Sequence, residues 1–135
     1  MTEIPPGFAP RPRRSRVTTA WEPIFVRITP EAQIIGLHLA EVHCNSFGLM
    51  HGGVIAALSD SALANSVGRH YDTPILPITT NLSVDYMGAA KLGQWVDFTT
   101  FYVKARKTIA FASLFINADG EPIARANATF RISPR

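Results

Sequence analysis

Asn45-Ser-Phe-Gly48-Leu-Met-His51-Gly52-Gly53 runs straight into Val54-Ile-Ala-Ala-Leu-Ser-Asp60-Ser-Ala-Leu-Ala-Asn-Ser-Val67, and the change of character at Gly53 decides the fold. Before it, Asn, Ser, Gly and His mark a loop. After it, small and apolar residues occupy nearly every helical direction from Val54 to His70, with no proline and a stop near Gly68. A helix apolar on most sides must be covered on most sides. Upstream, Glu22–Ile28 and Gln33–Val42 alternate loosely and read as two strands joined by a turn at Thr29-Pro30-Glu31. Downstream, Ile75–Tyr86, Gln94–Lys104, Thr108–Asn117 and Pro122–Ile132 carry β-branched and aromatic residues in rough alternation. Asp119-Gly120 is a two-residue hairpin signal, Gly88–Gly93 a longer turn and Ala105–Lys107 a short one, which predicts a meander of the last three or four strands. The expected class is α+β, an antiparallel sheet wrapped around one long central helix.

Composition bounds the rest. A chain of 135 residues, 47% hydrophobic and 17% charged, suits one globular domain with a core of its own. Its single cysteine, Cys44, cannot pair within the chain, which excludes a disulfide-stapled secreted scaffold and points to a cytoplasmic location. Prolines occupy the region where a signal peptide would carry its apolar core, and the longest apolar-rich stretch is too short and too polar to cross a bilayer. Residues 1–20, with Pro5, Pro6, Pro10 and Pro12 beside Arg11, Arg13, Arg14 and Arg16, read as an extended, partly disordered lead-in whose arginines are solvated; the domain proper spans 21–135. The net charge of +3 and pI near 9.4 favour mildly anionic partners, but no aromatic residues interleave with the basic ones, so neither a nucleic-acid nor a membrane partner is expected. Large residues on both sides of Gln94–Lys104 (Trp95, Phe101 and Val103 against Val96, Phe98 and Tyr102) require cover on the sheet's far face or edge, and so predict an oligomer.

Two features carry chemistry. Glycines at a helix start permit close approach to amides that have no intrahelical acceptor and lie at the positive end of the helix dipole, a place for an oxyanion or a polarised carbonyl; Gly52 and Gly53 could equally make only a tight turn. Asp60, two turns into an apolar helix, should be desolvated, and is either satisfied structurally by Ser or Thr hydroxyls or works as a base or nucleophile. Gly53 and Asp60 are seven residues apart, about 10 Å along the axis at 1.5 Å per residue. That is awkward for two groups acting on one carbonyl carbon, so for a shared substrate the simplest geometry borrows Asp60 from a second subunit whose helix runs antiparallel. Cys44 has no evident activating base; His38, His43 and His70 lack metal-ligand spacing; Trp21 and Trp95 read as core or interface.

The string Asn45-x-x-Gly48-x-x-His51-Gly52-Gly53, then Asp60, Ile78-Thr79-Thr80-Asn81-Leu82-Ser83-Val84-Asp85-Tyr86, Gly93 and Asp119-Gly120 with Ala124 resembles the hotdog-fold acyl-CoA thioesterases of the phenylacetate-degradation (PaaI-like) group, from about Trp21 to Arg131. The resemblance implies a five- or six-stranded antiparallel sheet around the helix, a homodimer assembling to a homotetramer, an active site at the dimer interface, and no metal or cofactor, coenzyme A being part of the substrate. It implies that the Gly52 amide, together with Gly53, polarises the thioester carbonyl, and that Asp60 of the partner acts as general base or nucleophile. Asn45 would position water or the carbonyl, His51 would support the loop, and Thr79, with Thr80, would hold water near the acid. Lys104, Arg106 and Lys107 on a hairpin tip, with Arg125 or Arg131, are candidates for coenzyme A phosphates, although a solvated tip explains them as well; the family often has a glycine where Ala105-Arg106 stand here. Leu58, Leu63, Ala64, Tyr86 and Met87 are candidates for the acyl pocket. The expected activity is hydrolysis of a small aromatic or medium-chain acyl-CoA. The rivals are a hotdog hydratase or dehydratase using His51 and Asp60, and a non-catalytic acyl-CoA sensor.

Overall fold

The protein was studied as a computed structural model that describes residues 3–12 and 15–135. Seven strands, β1 (Ala9–Pro10), β2 (Phe25–Ile28), β3 (Gln33–His38), β4 (Ile75–Tyr86), β5 (Trp95–Ala105), β6 (Ile109–Ala118) and β7 (Glu121–Pro134), form one antiparallel sheet in the order β1-β2-β3-β5-β6-β7-β4. One helix, α1 (Gly52–Gly68), packs across it and touches β3, β4, β5, β6 and β7. The strand count exceeds the five or six expected, because the lead-in itself contributes β1 to the edge beside β2.

The helix seats itself by a stripe rather than by its whole circumference. Val54, Ile55, Leu58, Ser59, Ala62, Leu63, Ser66 and Val67 recur at helical spacing and are buried against Phe98, Leu114, Ile116 and Phe130 of the sheet's inner face. Asp60 is off this stripe and only half-buried, so the expected desolvation of its carboxylate is not met within one chain. The partly buried Ala56, Ala57, Ser61 and Ala64 and the exposed Asn65 lie on the side the sheet does not cover.

The meander predicted for the last three or four strands comprises the last three, β5, β6 and β7, while β4 pairs with β7 at the far edge; two other expectations need correction. The helix, touching every strand from β3 to β4, carries the chain to that edge, and β5 returns to pair with β3. The return loop is pinned where Met50 N–H donates to Ala90 O (3.0 Å) and Gly93 N–H donates to Leu39 O (2.8 Å). First, a bulge between Thr100 and Tyr102 shifts the register, so Tyr102 pairs with Ser113 and becomes exposed alongside Phe101 instead of following Val96 and Phe98 inward. Second, Arg11 is not solvated. Its guanidinium donates to Glu22 Oε2 (2.6 Å) and Thr18 Oγ1 (2.7 Å) and its side chain is 4% exposed. Arg16 is exposed as expected; Arg13 and Arg14 lie outside the described residues.

Candidate active site at the helix start and at Asp60

The loop before α1 is held by side chains that the sequence singles out. Asn45 Oδ1 accepts from the Phe47 and Leu49 amides (2.9 and 3.2 Å), closing the turn in which Gly48 takes φ +74°. Its Nδ2 group is left with no partner among the described residues. The buried His43 accepts from the Ala40 amide at Nδ1 (3.0 Å), so its proton sits on Nε2 and is donated to Trp21 O (2.9 Å). The His43 carbonyl in turn accepts from the His51 amide (2.9 Å).

His51 is the N-cap of α1. Its Nδ1 accepts from the Gly53 amide at 2.9 Å, so this amide is engaged by the protein itself. A Cβ on Gly53 would stand 2.9 Å from the His51 ring, which explains the second glycine. The Gly52 amide makes no hydrogen bond among the described residues. On its other side Gly52 is fixed: Tyr86, at the end of β4, donates its hydroxyl proton to Gly52 O at 2.7 Å. Tyr86, a candidate for the acyl pocket, thereby also braces the helix start. That contact joins residues 34 positions apart, beyond any local signal.

Among the described residues Asp60 has one hydrogen-bond partner, the Thr79 hydroxyl, which donates to Oδ1 at 2.6 Å. A bulge between Thr79 and Asn81 leaves Thr80 as the extra residue, its hydroxyl spent on Thr129 O (3.0 Å). Of the two threonines only Thr79 therefore reaches the acid. Asp60 also borders a cavity of about 460 Å³, bounded by Ser61, Ala64 and Asn65 of α1, Gln33 of β3, and Arg11, Pro12 and Ser15 of the lead-in. Of the acyl-pocket candidates only Ala64 lines it, since Leu58 and Leu63 are fully buried core residues. A shallower groove of about 340 Å³ lies at the helix start, between Trp21, Val42, Cys44, His51, Gly53 and Val54. The Cys44 thiol donates to Ala40 O (3.3 Å); burial, and then the Glu41 carboxylate, push its pKa up, the opposite of nucleophile activation.

One chain thus carries an unpartnered amide at the start of α1 and a threonine-held carboxylate two turns along it, and does not bring them together. Lys104, Arg106 and Lys107 are exposed around the β5–β6 turn, where Tyr71 donates to Arg106 O (2.6 Å) just past the end of α1. That tip lies at the opposite end of the 17-residue helix from Gly52, roughly 24 Å away along the axis. Arg125 pairs with Asp85 (2.8 Å) on the exposed surface, and Arg131 is exposed.

The profile of the thioesterase superfamily matches residues 47–123, from the Asn45 loop to the start of β7. The chain belongs to the thioesterase superfamily. A Pseudomonas aeruginosa protein named as an esterase is 30% identical over 133 residues, 98% of this chain and 99% of its own. Acyl-coenzyme A thioesterase 13 of Mus musculus is 31% identical over 90 residues, 67% of this chain and 64% of its own. Among solved structures, zebrafish thioesterase superfamily member 2 superposes with a TM-score of 0.78 at 25% identity, covering 91% of this chain and 88% of its own. A point mutant of phenylacetic acid degradation protein PaaI from Thermus thermophilus (TM-score 0.71, 20% identity, 80% and 91% covered) has the same fold. So does a hypothetical thioesterase from Streptococcus pneumoniae, solved with coenzyme A (0.75, 19%, 87% and 94%). The chain is a hotdog-fold thioester hydrolase.

Proposed function

We propose that this thioesterase hydrolyses acyl-CoA with a small aromatic or medium-chain acyl group, at sites built from two subunits. The observation that carries the reading is the separation along α1 of two complementary groups that find little else among the described residues: the Gly52 amide, with no partner there, and Asp60, bound there by Thr79 alone. A partner helix running antiparallel would bring its Asp60 to this chain's Gly52. The long β4 strand, at the edge of the sheet with its outer side unpaired, supports such an association.

In this mechanism the thioester carbonyl accepts from Gly52 N–H, where the helix dipole and the unspent donor stabilise the oxyanion of the tetrahedral intermediate. Asp60, oriented by Thr79, takes the proton of the attacking water, or attacks directly to form an anhydride that water opens. Collapse of the intermediate expels the coenzyme A thiolate. His51 and Asn45 hold the loop so that the Gly52 amide stays aimed. Lys104, Arg106 and Lys107 are offered to coenzyme A phosphates, and the stacked Phe101–Phe115 pair with Tyr102 and Phe111 is offered to a second dimer in a tetramer. The coenzyme A-bound pneumococcal thioesterase and the acyl-coenzyme A thioesterase relative favour the substrate class.

The test is thiol release from a panel of aryl, short and long acyl-CoAs by the unchanged chain beside Asp60→Asn, a near-isosteric change that removes the carboxylate. A loss of at least about a hundredfold in kcat, with oligomer size preserved, is the expected result. Equal rates in both proteins would remove Asp60 from the chemistry.

A further inference from the structure

The lead-in is built into the molecule at several points. Phe8 meets the Trp95 ring edge-on (centroids 5.0 Å) and lies under the Arg27 guanidinium (5.1 Å). Gly36 makes the room: a Cβ there would stand 2.2 Å from the Trp95 ring. Ala9–Pro10 pairs with Phe25–Val26, the Arg11 amide donates to Ile24 O (2.9 Å), and the Arg11 side chain is clamped by Glu22 and the fully buried Thr18. Glu22 completes the clamp by accepting from the Ile24 amide (2.8 Å) at its other oxygen. What this anchoring holds in place is one side of the cavity beside Asp60, to which Arg11, Pro12 and Ser15 contribute.

We infer that Arg11, Pro12 and Ser15 form the end wall of the acyl pocket and set the length of acyl chain the enzyme accepts, an inference that rests on Asp60 being the catalytic acid. The size of the cavity, about 460 Å³, is at the small end for ligand sites. Most of the residues that line it are polar. Arg11 is 7% exposed with its Nε–H lacking any partner among the described residues, and Ser15, Gln33 and Asn65 stand around the same space. A long alkyl chain driven against this wall would desolvate those groups without giving them hydrogen bonds, whereas a short acyl group stops before reaching them.

The experiment compares kcat/KM for butanoyl-CoA and dodecanoyl-CoA in the full chain and two variants. Ser15→Trp fills the cavity from an exposed position without touching the clamp, since the Ser15 contacts to Thr18 and Thr19 run through its backbone carbonyl. Arg11→Ala loosens the wall. The dodecanoyl-to-butanoyl ratio should rise at least about tenfold in Arg11→Ala and fall at least about tenfold in Ser15→Trp. Ratios unmoved in both variants, or both substrates falling in parallel, would overturn the inference. Asp60→Asn separates the two levels. If it is inactive while the ratios stay fixed, the wall alone is wrong; if it retains full activity, the site reading fails and the wall falls with it.

Discussion

Gly52 and Gly53 show how adjacent residues of one type are held to different ends. The Gly53 amide is consumed by the His51 cap, and its missing Cβ makes room for that ring; Gly52 has space for a Cβ 3.5 Å from Tyr86 and keeps its amide free. Both glycines could be singled out from sequence, but their division of labour depends on which nitrogen His51 turns toward the backbone. Asp60 was legible as a group needing an account, and its threonine partner was named; its partial exposure was not, because helical periodicity gives no hint of which side a single chain leaves open. Cys44 supplies a pH-dependent test at this scale. Burial and Glu41 raise the thiol pKa, so the thiolate fraction at neutral pH is below that of an ordinary cysteine and grows only as pH climbs through the raised value. Iodoacetamide should therefore alkylate Cys44 more slowly at pH 7 than an unstructured cysteine peptide, with the rate still rising at the pH where that of the peptide has levelled off. Faster alkylation than the peptide at pH 7 would contradict the raised pKa.

At the scale of elements, the seating of the lead-in turns on Gly36 of β3. Gly36→Ala would force the Trp95 ring from its place and press on Phe8, a misfit that costs about 1–3 kcal/mol. A fall of several degrees in Tm is expected, and an unchanged melting curve would show that the packing of Trp95 is looser than described. Strand spans from Ile75 onward follow the alternation in the sequence closely, because a half-buried strand must alternate. Strand order does not, since the adjacency of β4 and β7 is settled by where the helix delivers the chain. The bulge that exposes Tyr102 and the burial of Arg11 escaped for the same reason. Each is decided by partners far along the chain or across a register shift, while local composition argues for the opposite.

The whole molecule leaves two surfaces unsatisfied in a single copy. One is the edge of β4; the other is the outer face, where Phe101 and Phe115 stack at 5.0 Å with Tyr102, Ile109 and Phe111 exposed nearby. If dimers associate through the outer face and each site is complete within a dimer, Phe115→Glu places charge in that contact and should convert tetramers to dimers in light scattering, with kcat/KM retained. A tetramer that survives the change would place the contact elsewhere.

The central claim, a site made from two subunits, is tested most directly by mixing two inactive variants. Gly52→Pro deletes the amide donor where proline is well tolerated: Gly52 is the first helical residue, and His51 before it already has the extended backbone (φ −65°, ψ 132°) that proline demands. Asp60→Asn deletes the acid. Unfolding the two variants together and refolding them should yield dimers of which about half are mixed, and each mixed dimer has one site with neither defect, so about a quarter of the unchanged activity returns. Recovery near that level is the predicted result. No recovery, with mixed dimers demonstrated by mass, would mean that Gly52 and Asp60 serve the same substrate from one chain, and would contradict the account.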